Sequence, residues 1–181
     1  VASLAGYVLS TSFGDPYDYL WSCHFGLLLV AVALWLPGSR ATTAAFLWVL
    51  IGFSLWGIDV INGRSVDAMT LAVHGGGMAV ASFALWRRGW SRRWVFWIVI
   101  LGYLALQQVC RWVTPPELNV NLAFGIRAGW EGSFDAYWPY LGLIAVSSTL
   151  ALGALEFLAR KLSSRDPGPA PSEPKPATES A

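Results

Sequence analysis

His24 and His74 are the only two histidines in the chain, and both lie inside long apolar runs, "CHFGLLLVAVALWLP" and "DAMTLAVHGGGMAVASFALW". An imidazole in such a setting can act as general base, proton carrier or metal ligand. An ionisable side chain within an apolar span is costly and marks a functional site by default. The chain has two cysteines, Cys23 and Cys110. A thiolate attacks acyl carbonyls once a base has lowered its pKa. Neighbouring residues on a helix point about 100° apart, so His24 is a poor base for Cys23. His74, arriving on another helix, can face Cys23, with Asp59 orienting it as the third member of a triad does. Blander readings stand beside this one. A neutral histidine can simply hydrogen-bond across helices, Cys23 and Cys110 can pair as a disulfide, and two inert buried thiols are the commonest outcome for free cysteine.

The elements that carry these residues belong in lipid. The apolar fraction is 55% and the charged fraction 13%, about half the charge of a soluble domain, and mean hydropathy is +0.50. The fold class is all-α, a polytopic membrane bundle with spans at about 18–36, 41–61, 67–86, 93–113 and 138–159, each near the length a hydrocarbon core requires. Residues 1–17 are apolar but too short to span and read as an outer N-terminal segment. Residues 18–161 form the five-helix transmembrane domain. Residues 162–181, rich in Pro, Ser and Glu, cannot bury apolar surface and read as a disordered cytoplasmic tail. Orientation follows from Lys and Arg. Nine of them (Arg40, Arg87, Arg88, Arg92, Arg93, Arg160, Lys161, Arg165, Lys175) fall on one side and three (Arg64, Arg111, Arg127) on the other. The N-terminus is therefore expected outside and the tail inside, as in a bacterial inner membrane protein. Most of the eleven tryptophans flank the spans as interfacial anchors do, and Glu156 pairs with Arg160 one turn later at the inner rim.

This topology puts polar residues at one depth. His24, His74 and Gln107 each lie six residues in from the outer rim, about 9 Å deep at the helical rise. Asp59, Cys23, Cys110 and Arg111 sit slightly shallower. The long connection "TPPELNVNLAFGIRAGWEGSFDAY" can cap this level, with Asn119 or Asn121 reaching toward the histidines. Gly75, Gly76 and Gly77 either let helices approach closely or leave room beside the His74 ring. Two histidines at one depth also suit a b-type haem between helices, with Arg64 and Arg111 on its propionates, or a quinone. The inner half carries no histidine for a second haem. Two histidines without further firm ligands are too few for zinc. Otherwise no cofactor is expected. The partners expected are membrane lipids and other membrane subunits of a larger complex, with no nucleic acid.

The motifs "CHFG" with His24, "VHGGG" with His74, "LNVNLAFG" with Asn119 and Asn121, and "AYWPYLG" with Trp138, Pro139 and Tyr140 resemble those of the YwaF-like integral membrane proteins. The resemblance runs over about residues 18–160. That family is related to a eukaryotic transmembrane acyltransferase of ether phospholipids and, more distantly, to membrane hydrolases that use a Thr and a His. It often has a Cys two residues after the first His, where this chain has Gly26; here Cys23 precedes the His. The resemblance implies a lipid-facing site in the outer half of the bundle, performing acyl transfer or ester hydrolysis. From the residues alone, an electron-carrying haem or quinone subunit and a non-enzymatic accessory subunit remain as alternatives.

Overall fold

A computed structural model describes residues 17, 20–63, 65–66, 68–127 and 129–163, and the regular structure among them is helical. The expected outer segment up to residue 16, the tail from 164 and Arg64 lie outside the described residues. Helix α1 (Ser22–Trp35) and helix α2 (Ser39–Ile61) form a hairpin. Helix α3 (Ala68–Leu71) runs through a π turn (Ala72–Gly76) into α4 (Gly77–Arg88), making one continuous rod. Helix α5 (Phe96–Val113) and helix α6 (Tyr137–Ser163) follow, separated by three short 3-10 turns. Three of these, α2, α5 and α6, are long and apolar enough to cross a membrane.

Helix α1 is shorter than the hydropathy of residues 18–36 suggests. It has 14 residues, about 21 Å at the helical rise. At its end Leu36 is extended and Gly38 takes φ 91°, because Pro37 has no N–H to continue the ladder. At its start Trp21 is extended. The last carbonyls of α1 are satisfied from a distance: the Arg88 guanidinium donates to Ala33 O, to Leu34 O at 2.5 Å and to Leu36 O at 2.8 Å.

Helix α2 is the centre of the bundle and packs on α1, α4 and α5, while α6 leans on α5. Its Trp48 is only 5% exposed and is an interior residue, not an interfacial anchor. A Cβ at Gly26 or at Gly102 would stand 3.0 Å from the Trp48 ring, so glycine on both neighbours makes the slot this indole fills. The indole N–H donates to Ser22 O at 2.9 Å, which fixes the first turn of α1 against the middle of the fold. Gly77 brings α4 against α1, where a Cβ would meet Leu27 Cδ2 at 2.5 Å. Of the glycine triplet, then, Gly77 serves close packing, and Gly76 has no neighbour within 4 Å of a Cβ.

The two ends of the bundle are built differently. At one end Ser91 N donates to Thr43 Oγ1 at 3.0 Å, beside the Arg88 cap. There the Glu156 carboxylate, fully buried, accepts the N–H groups of Val95 at 3.0 Å and Phe96 at 2.8 Å. It caps the N-terminus of α5, where orphan donors and the helix dipole favour an anion. Arg160, the partner expected from sequence, stands 3.8 Å from one of its oxygens, so capping is the main task of Glu156 and the ion pair is secondary. At the other end the 114–136 loop folds back over the helix termini.

Candidate functional site

The loop end begins with two asparagines in left-handed backbone, Asn119 (φ 42°) and Asn121 (φ 54°), a conformation asparagine tolerates better than most residues. Asn119 Oδ1 accepts the N–H groups of Phe124 and Gly125, both at 2.9 Å, and closes a local turn. Asn121 is buried. Its Oδ1 accepts Ser22 N at 2.7 Å and its Nδ2 donates to Leu20 O at 2.5 Å and toward Cys110 Sγ at 3.3 Å. One side chain therefore caps α1 and ties it to α5. Gln107 Nε2 donates to Leu122 O at 2.9 Å and Tyr137 Oη at 3.3 Å. Arg111 donates to Ala123 O and lies over the rings of Tyr137 at 5.2 Å and Trp138 at 5.0 Å.

Against this frame lies a cavity of about 320 Å³. Cys23 and His24 reach it from α1, Trp56 and Asp59 from α2, and Thr70 and His74 from α3 and the π turn. The four catalytic candidates, His74, His24, Cys23 and Asp59, thus line one cavity. The π turn is the local reason His74 is there. About one extra residue per turn re-aims the side chain, and such turns are frequent at functional sites. His74 Nδ1 lies 2.9 Å from Thr70 O. A carbonyl only accepts, so Nδ1 carries the proton and Nε2 is the basic nitrogen of the neutral ring. The ring stacks on Trp56 with centroids 5.1 Å apart and planes 6° apart. The Trp56 Nε1–H is buried without an acceptor, an uncommon state that asks for an explanation.

Asp59 is ion-paired with Arg127, which also donates to Leu55 O at 3.2 Å. This pair latches the loop to α2. Asp59, expected to orient His74, also has a cation from the loop in Arg127, a residue that in the sequence counted only toward topology. The signal in sequence was slight, a lone arginine in "GIRAGW". A second cleft of about 430 Å³, lined in part by Asn119, Asn121, Tyr103 and Arg127, adjoins the first and shares Trp21, Ser22 and Asp59 with it.

The residues expected to bind a cofactor therefore divide. His24 and His74 line the main cavity, Asn119 and Asn121 line the adjoining cleft, and Gln107 and Arg111 line neither. Gln107, Arg111 and Asn119 spend hydrogen bonds on the loop backbone, while Asn121 spends its own on the start of α1 and on Cys110. The reason is that the loop's turned backbone offers carbonyls and N–H groups no ladder satisfies. Cys23 and Cys110 are not joined by a disulfide. Among the described residues no group of three or more His, Cys, Asp and Glu is arranged to hold a metal ion. No protein-family model, no curated protein and no solved structure matches the chain.

Proposed function

We propose that this is an integral membrane protein of five membrane-crossing helices whose outer pocket takes the ester-bearing end of a lipid and transfers or hydrolyses its acyl chain. The observation that carries the reading is the convergence of Cys23, His24, Asp59 and His74 from three helices on one cavity. The resemblance to YwaF-like proteins points to the same chemistry. The side is assigned by the nine-to-three partition of Lys and Arg, which sets the loop end outside.

In this mechanism His74 Nε2 accepts the proton of the attacking hydroxyl, from water or an acceptor alcohol, while its Nδ1–H stays on Thr70 O. The new C–O bond forms as the ester carbonyl oxygen takes up negative charge, and the Trp56 N–H is the nearby buried donor for it. The old ester C–O bond then breaks and the leaving alkoxide recovers its proton from His74. The Trp56 face stabilises the imidazolium between these steps. His24 and Cys23 shape the wall beside the reacting carbonyl, and the Asp59–Arg127 latch holds the loop against the site.

The test is incubation of the purified protein with mixed phospholipids and mass analysis of the products. Lysolipid or acyl-exchanged lipid that disappears in His74→Phe supports the reading. A Soret band in the purified protein together with unaltered lipids would replace it with the haem-binding alternative.

A further inference from the structure

The opposite end of the bundle holds a further cavity, of about 580 Å³, lined by Trp90, Ser91, Arg92, Trp94, Phe157, Arg160 and Lys161. It is separate from the His74 pocket and its residues take no part in the chemistry above. We infer that this cavity is a binding site for the phosphate headgroup of an anionic phospholipid.

Three observations converge. First, three cationic side chains, Arg92, Arg160 and Lys161, border one cavity. The Glu156 carboxylate stands 3.8 Å from Arg160 Nη1 and offsets one of the three charges, so the residues bordering the cavity keep a positive balance. Second, the site holds an orphan donor. Trp90 Nε1 is buried without a hydrogen-bond partner, and Arg160 Nη1 makes no hydrogen bond beyond its 3.8 Å ion pair with Glu156; buried N–H groups in that state are rare. An arriving phosphodiester supplies acceptor oxygens of the right charge. Third, the guanidinium is already positioned. Arg160 lies 4.6 Å over the Trp94 ring and donates to Arg92 O, so little side-chain entropy is lost on binding.

The surroundings select a lipid over soluble phosphate. Trp94 and Phe157 border the cavity and are 43% and 55% exposed. Both stand where acyl chains would continue from a headgroup. A tryptophan beside basic residues at a helix end is a headgroup-level arrangement. Basic pockets between helices on the positive side of a membrane protein bind anionic headgroups. With the orientation proposed above, this site faces the inner leaflet.

The test is native mass spectrometry of the detergent-purified full chain with phosphatidylglycerol or phosphatidylcholine, each with and without inorganic phosphate. Phosphatidylglycerol should be retained in preference to phosphatidylcholine. Trp90→Phe, which deletes one N–H and keeps an aromatic ring, should weaken retention about 10-fold, in the range for a hydrogen bond to a charged group. Lys161→Gln should also weaken it. Arg160→Gln is the stronger lesion but removes the contact to Arg92, so the two other variants decide the matter. Equal retention of the two lipids, or phosphatidylglycerol retention unchanged in both variants, overturns the site. Displacement of bound phosphatidylglycerol by equimolar inorganic phosphate overturns the lipid assignment in favour of a soluble anion. These outcomes are independent of acyl-transfer activity, which is read at the other end of the molecule.

Discussion

At the residue scale, His74 and Asn121 stand for two different kinds of buried polar group. His74 has one nitrogen committed to Thr70 O and a ring face against Trp56, so its position is set by its own turn. His74→Phe preserves an aromatic ring beside Trp56 and removes a polar group from an apolar helix, which should not impair insertion. The melting temperature should stay within a few degrees, while turnover falls by about 10²–10⁴-fold, as for loss of a proton-transfer group. Asn121 is structural in the opposite sense, since its side chain satisfies Ser22 N and Leu20 O at once. Asn121→Gly keeps access to the left-handed backbone but orphans both partners. It should cost about 1–3 kcal/mol, the range for buried groups left unsatisfied. Thermal unfolding in detergent checks this, and an unchanged midpoint would show that the cap is replaceable by water.

At the element scale, the glycines of the π turn and α4 make a paired prediction. Gly77→Ala places a methyl 2.5 Å from Leu27 Cδ2, and Leu27 is 2% exposed with little room to retreat. Overpacking of this kind typically costs about 1–3 kcal/mol. Gly76→Ala meets nothing within 4 Å and should be neutral or stabilising by up to about 1 kcal/mol, because alanine is the better helix former. Melting temperatures of the two variants should move in opposite directions or differ clearly. Much of this level was legible in sequence. Apolar runs gave α2, α5 and α6 and the rod from Ala68 to Arg88, because hydropathy and length are local properties. The start of α1 at Ser22 instead of residue 18 was not legible, since it is fixed by Asn121 and Trp48, far away in the chain. The Glu156 and Arg88 caps were missed for the same reason: each satisfies backbone groups of another helix, and nothing in the flanking sequence of a capping residue announces its partner. Cys23, His24, Asp59 and His74, placed near one depth by helix geometry, line one cavity. Gln107 and Arg111 line neither that cavity nor the adjoining cleft, because depth along a helix does not say which face a residue presents or which loop atom it meets.

At the scale of the whole molecule, the two ends differ in kind. One collects arginines around Arg88, Arg92 and Arg160; the other carries the folded loop and the histidines. With the loop end outside, a cysteine introduced at Ser133, which is exposed in the loop, should react with a membrane-impermeable maleimide added to intact cells. One at Arg93, exposed at the other end, should react only after permeabilisation. The reverse pattern would turn the molecule over and place the histidine pocket on the cytoplasmic side. Helix α6 presents Leu143, Val146, Leu150 and Phe157 outward, a surface for lipid or for another membrane subunit. The central claim is that the cavity around His74 handles a lipid ester. The most direct measurement is the product profile of purified wild type and His74→Phe, side by side, on the same phospholipid mixture. Lysolipid or acyl-exchanged lipid from the wild type, lost in a variant of equal stability, is the predicted result. Identical lipid profiles from the two proteins, with no product from either, would contradict the claim.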